Sequence, residues 1–164
     1  MSVANFQALC DGFCEAANAP APQLAPDDQG VMVFSTEIAD VAVNIMHTQA
    51  THPDSAFVLI DFGPPPPERE AEALRTVLLI NFTMLGVETA STFSIHPIYG
   101  HVTLQARYPF HGRSGVELLR SVRTLVAMAL QWRETYFLQT PSQPASQLMS
   151  HHPGYADTAP AASA

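Results

Sequence analysis

The chain has 164 residues, a formal net charge of −8 and only 13% charged residues. That length suits one domain with a sizeable core. So few charges in a 47% apolar chain leave much of the surface neutral or apolar, which often marks a binding site. There is no lysine, and the seven arginines form no cluster, which weighs against a nucleic-acid partner and against an anionic membrane surface.

In chain order, residues 3–17 predict a helix, because Phe6, Leu9, Cys10, Phe13 and Ala17 recur at helical spacing. Residues 18–29, with Pro20, Pro22, Pro26 and the Asp27-Asp28 pair, predict a loop. Three strands are expected next: Val31–Ser35, the alternating Val41–His47, and the dense apolar run Ala56–Phe62, which reads as central. Short links between them predict an antiparallel meander. Gly63 and the prolines at 64–67 stop the third strand and prepare a helix whose first turn is acidic, running to about Leu85 with Gly86 as its stop. Two strands, Thr92–His96 and Val102–Tyr108, and a helix from Gly115 to Leu138 complete an α+β domain over residues 1–138. Residues 139–164, rich in Pro, Ala and Ser, predict a disordered tail.

No signal peptide is visible in the first residues, and the longest dense apolar stretch, Val77–Leu85, is too short to span a bilayer. A cytoplasmic location is expected. Cys10 and Cys14, four residues apart on one helix, are expected to be free thiols, since a disulfide at that spacing would be strained.

The second helix carries too much apolar surface for one neighbour. Ala71, Leu74, Leu78, Phe82 and Leu85 form one stripe, and Val77, Ile80 and Met84 a second. Together they cover about 200° of the circumference, where a one-sided helix needs about 100°. A homodimer through Leu74, Val77, Leu78, Asn81, Phe82 and Leu85 is the simplest cover. Asn81 would fix its register; the alternative is that Asn81 caps a strand end within its own domain. The third helix presents one wide face, from Leu118 to Tyr136, with Arg133 within it, its stem on apolar surface and its head on a carboxylate.

No catalytic set emerges from the sequence. None of the seven histidines has helical or zinc-finger metal spacing. No nucleophile elbow or phosphate loop occurs. Gly112-Arg113-Ser114-Gly115 fits a helix-entry turn better than an anion site. No enzyme activity, metal or cofactor is expected.

The order of elements and several local motifs resemble the Tir-chaperone (CesT-like) family, the class I chaperones of type III secretion. The resemblance spans residues 3–138 and lies in Phe6-x-x-Leu9, in Phe57-Val58-Leu59-Ile60-Asp61-Phe62-Gly63, in Leu78-Leu79-Ile80-Asn81-Phe82, in Phe93-Ser94-Ile95-His96-Pro97 followed by Gly100 and Val102-x-Leu104, and in Ala129-Leu130-Gln131-Trp132-Arg133. The proline run and the tail depart from the pattern. The resemblance implies an acidic homodimer that binds the N-terminal chaperone-binding segment of a secreted effector, without ATP, and keeps it unfolded. The segment would wrap the dimer, fill apolar grooves and add a strand to a sheet edge. Candidate groove residues are Phe6, Leu9, Phe13, Val31, Val33, Phe34, Val41, Val43 and Ile45, with ordinary core as the alternative for each. A dimeric adaptor for a folded partner is the rival function.

Overall fold

The computed structural model describes residues 2–84 and 91–138. They form α1 (Ser2–Ala16), β1 (Val31–Ile38), β2 (Val41–Thr48), β3 (Ser55–Gly63), α2 (Glu70–Thr83), β4 (Ser91–Ile95), β5 (Val102–Pro109) and α3 (Gly115–Thr135). The α+β order read from the sequence stands. The five strands make one antiparallel sheet in the order β1-β2-β3-β5-β4, with β3 in the middle. The expected tail, Leu85 and Gly86 lie outside the described residues.

Strand β1 runs three residues past the expected Ser35, because the link to β2 takes only two residues. Ala39 and Asp40 alone make the turn, both left-handed at φ 51° and 59°, and Ile38 pairs with Val41. A two-residue turn of that hand matches the twist of the strands it joins.

Period-two alternation divides the sheet into a covered and an uncovered face. On β2, Val41, Val43, Ile45 and His47 are fully buried, whereas Ala42 is exposed and Asn44, Met46 and Thr48 are half-buried. The covered face lies under α1 and α3. Phe13 of α1 meets Phe34 edge-on with ring centres 5.5 Å apart, and Phe6 packs on the His47 ring at 5.3 Å. Helix α3 brings Leu118, Val122, Val126, Ala129 and Trp132, one every three or four residues, onto the same core. Where α1 crosses α3, Gly12 faces Gly115, and a Cβ on Gly115 would overlap the backbone of Gly12 and Phe13. The glycine pair therefore sets how closely the helices approach.

Helix α3 starts with a capping box. The Ser114 hydroxyl accepts from the Glu117 backbone N–H, and the Ser114 N–H donates to the Glu117 carboxylate at 2.8 Å. The bonds from the Ser114 N–H and then its hydroxyl hold the Glu117 carboxyl below the usual carboxylate range. The protein's own carboxylate thus takes the Ser114 N–H and hydroxyl, in keeping with a helix entry. At its other end α3 stops at Thr135, three residues before the expected Leu138. Tyr136 and Phe137 take left-handed backbone at φ 51° and 53°. That reversal turns the Phe137 ring back onto Trp132, Phe62 and Phe93, with centres 5.5, 6.5 and 6.3 Å away. Aromatic burial favours this ending over three more residues of helix.

Arg133 also departs from expectation. Its guanidinium reaches main-chain carbonyls and not a carboxylate: it donates to Asp40 O at 2.8 Å, Asp61 O at 3.2 Å and Phe62 O at 3.3 Å. One side chain of α3 thereby ties the β1–β2 turn to the end of β3.

Candidate functional site

The surface that bears on function consists of the two sheet edges and the outer face of α2. At the β4 edge the outward backbone groups of the central residue, Phe93, are satisfied from within the chain. The Asn81 side chain donates to Phe93 O at 3.1 Å and accepts from Phe93 N–H at 2.7 Å. Both bonds run to the side of β4 away from β5, so Asn81 acts as a substitute strand residue. The assignment of Asn81 to a dimer register is corrected: both ends of its amide bond the strand next to it, leaving the side chain committed to its own domain.

The rest of α2 divides in the same way. Ala73 and Val77 are buried against the domain, and Leu74, Ile80 and Met84 are half-covered. Val77 is thus core, and Leu74 is partly so. Leu78, Leu79 and Phe82 face outward with 65%, 62% and 76% of their surface exposed. Ala71, placed by periodicity in the apolar stripe, is exposed near the acidic first turn. The excess apolar surface predicted for this helix is present, on Leu78, Leu79 and Phe82; Leu85 lies outside the described residues.

The β1 edge differs. At its start Asp27 folds back beside Val31: the Asp27 N–H donates to Val31 O at 2.9 Å, and Val31 N–H donates to the Asp27 carboxylate at 2.8 Å. Val31 therefore turns its backbone groups away from β2. Antiparallel alternation gives Val33, Ser35 and Glu37 the same outward direction. Among the described residues nothing bonds these three pairs of groups. Their side chains lie on the uncovered face. Val33 is 43% exposed, the Ser35 hydroxyl donates to Asn44 Oδ1 at 2.7 Å, and Glu37 stands in solvent.

The predicted groove residues separate accordingly. Val33 is exposed and Val31 half-buried on the uncovered face. Phe6, Leu9, Phe13, Phe34, Val41, Val43 and Ile45 are buried in the core between the sheet and its helices. Their assignment to a groove is corrected: the protein's own atoms cover them, since α1 turns its apolar stripe toward the sheet. The side of α1 that remains open carries Asn5, Ala8 and Glu15 and borders a cleft with Phe110 and Arg113. Sequence reasoning missed this polar side of α1, because an apolar-periodicity search selects the buried stripe.

The remaining polar groups among the described residues are placed as follows. Burial pushes the Cys10 thiol up to about 12, and Cys14 is raised by burial and by Asp11, so neither is poised as a thiolate. His101 bonds Asp61 at 3.1 Å, His96 stacks on Tyr99, and His47 is buried with Nδ1 3.0 Å from Ser55 O. Among the described residues no group of three His, Cys, Asp or Glu side chains could hold a metal. No described helix is long and apolar enough to cross a membrane.

Comparison with known proteins bears on this arrangement. Solved structures that share the fold include a chain of the HopA1–SchA chaperone–effector complex, 18% identical with a TM-score of 0.61, covering 82% of this chain and 97% of that one. A chain of the ExsC–ExsE complex is 16% identical with a TM-score of 0.60, covering 81% and 92%. A chain of the ExoT–SpcS complex from Pseudomonas aeruginosa is 14% identical with a TM-score of 0.51, covering 77% and 96%. Comparison with curated protein sequences finds no match. The family model described as Tir chaperone protein (CesT) family matches residues 9–133, most of the chain including both sheet edges and α2, and the chain belongs to that family.

Proposed function

We propose that this protein is a type III secretion chaperone that works as a homodimer in the bacterial cytoplasm, binds the N-terminal segment of an effector and keeps it unfolded without ATP. Family membership supports the chaperone class. One structural observation carries the binding mode: among the described residues, nothing pairs the outward backbone groups of Val33, Ser35 and Glu37 on β1, beside an exposed apolar side chain. An edge of that kind is a template for an added strand, and a protein that keeps one open has a use for it. An extended segment suits it because backbone hydrogen bonds supply affinity whatever the sequence, while alternate side chains supply specificity.

The dimer rests on Leu78, Leu79 and Phe82. Three large apolar side chains in one helix turn, more than half exposed, match the fully desolvated centre of an interface. A two-fold axis at that helix would set the same residues of two copies against each other.

Two measurements test the proposal. Sizing chromatography with light scattering should report about twice the 17.8 kDa chain mass, and Leu78→Asp or Phe82→Asp should halve it while leaving circular dichroism unchanged. Co-expression with a secreted substrate, followed by limited proteolysis, should show a protected N-terminal stretch of the substrate in purified complex with no nucleotide added. A monomer, or protection only of an already folded domain, would overturn the reading.

A further inference from the structure

Charge is distributed unevenly along the chain. The first 68 residues contain nine carboxylates and neither lysine nor arginine. Those residues build α1, β1, β2 and β3. Four of the carboxylates, on Asp27, Asp28, Glu37 and Asp40, belong to β1 or to the turns at its two ends, and all four residues are exposed. At the Asp40 turn the guanidinium of Arg133 reaches this edge, where it is engaged with three main-chain carbonyls.

Resting on the proposed strand addition, we propose that the β1 edge selects a basic segment: an extended stretch carrying an apolar residue and, four residues away on the same face, a lysine or arginine. The spacing follows from the strand. Asp27 already occupies Val31, so an incoming strand is restricted to the outward groups of Val33, Ser35 and Glu37. Side chains directly opposite one another on paired strands interact, and residues two apart share a face. The residue opposite Val33 gains by being apolar, since Val33 is 43% exposed on the uncovered face. The residue opposite Glu37 lies four positions along and faces a carboxylate that has no ion-pair partner among the described residues. An anion at that position would meet Glu37 directly and the field of the neighbouring carboxylates, which disfavours it twice over. The backbone supplies the affinity common to all segments, and this one pair of positions supplies discrimination.

The test is selection of random twelve-residue peptides displayed on phage against the full chain and against its Glu37→Gln and Glu37→Lys variants. Glu37 is exposed, so both variants should fold, and circular dichroism checks this. The expected result is enrichment of Lys or Arg four residues from an apolar residue on the native chain, loss of the basic preference with Glu37→Gln, and its replacement by Asp or Glu with Glu37→Lys. The best native-selected peptide should bind the Gln variant about two- to fivefold more weakly, the range for an exposed ion pair. Enriched peptides that are neutral or acidic at that position, or that are indifferent to residue 37, overturn the charge rule. Hydrogen exchange separates this failure from failure of the underlying reading. A peptide that slows exchange at the Val33 and Ser35 amides leaves strand addition standing while the charge rule falls. A peptide that binds without slowing them, or absence of any enriched peptide, removes both.

Discussion

The two edges of the sheet solve the same problem in opposite ways. At β4 a helix lies alongside, and the Asn81 amide supplies the donor and acceptor that another strand would have supplied to Phe93. At β1 the same pairing occurs once, between Asp27 and Val31, and then stops, leaving the groups of Val33, Ser35 and Glu37 open. Edge strands invite association, and proteins usually close them. A side chain meets the central outward groups of β4, whereas β1 has none such over a five-residue stretch among the described residues, so the sheet has a direction in which it can be extended. Each edge also borders exposed apolar side chains, Val33 at one and Phe82 near the other. They need different covers. An edge with free backbone groups accepts a strand, whereas a helix with its backbone satisfied accepts only packing, which the proposed second copy would supply.

The largest disturbance of this contrast should come from Gly115→Ala. Its methyl group would enter the backbone of α1, and neither helix can yield by a simple rotamer change. A loss of about 3 kcal/mol, the upper end for overpacking, is expected in urea unfolding, with exchange increasing first in α1, β1 and β2, the elements that α1 covers. Uniform loss across the sheet would show that α1 is not the particular cover of the β1 half.

Asn81→Ala should follow in size. It leaves Phe93 N–H and C=O without their partner at a half-buried position, which costs about 1–3 kcal/mol. The variant should also associate at high concentration in a way that Leu78→Asp does not reverse, because the new contact would be through β4. An unchanged Phe93 exchange rate would refute the closure of this edge by Asn81.

Asp27→Ala is the matching change at the other edge and should be milder. The pairing is exposed, so water replaces it, and a loss below about 1 kcal/mol is expected. Its informative effect is on binding: the Val31 N–H loses its acceptor while Val31 O keeps the N–H of residue 27, and selected peptides should protect the Val31 amide as well. Failure to do so would place the limit of the edge elsewhere.

The smallest effect concerns pH. Glu117 has its folded carboxyl value lowered by the bonds from Ser114, so its contribution is present above the ordinary carboxylate range and is lost as pH falls through the lowered value. Glu117→Gln should flatten the acid limb of stability while leaving neutral-pH binding at β1 unchanged, since the capping box lies at the start of α3 and away from that edge. An acid limb identical in both proteins would remove the capping box from the account.

Much of this was legible in the sequence because it depends on periodicity. Alternation in Val41–His47 and the three-to-four spacing of Leu118, Val122, Val126 and Trp132 are consequences of backbone geometry, so they report strand and helix directly. The same periodicity showed that α2 carries more apolar surface than one neighbour covers, and Leu78 and Phe82 do stand exposed. What periodicity could not do was assign an apolar residue to core or to groove. Phe6, Phe13 and Ile45 are apolar in either role, and only the packing of α1 on the sheet buried them. Nor could it choose a partner for a polar residue. Asn81 bonds Phe93 and Arg133 bonds the carbonyls of Asp40 and Asp61 because the fold brings together residues 12, 93 and 72 positions apart in sequence. Local sequence carries the pattern of each element through its own backbone. Which edge is closed and which stays open depends on contacts between distant elements, and those exist only once the chain has folded.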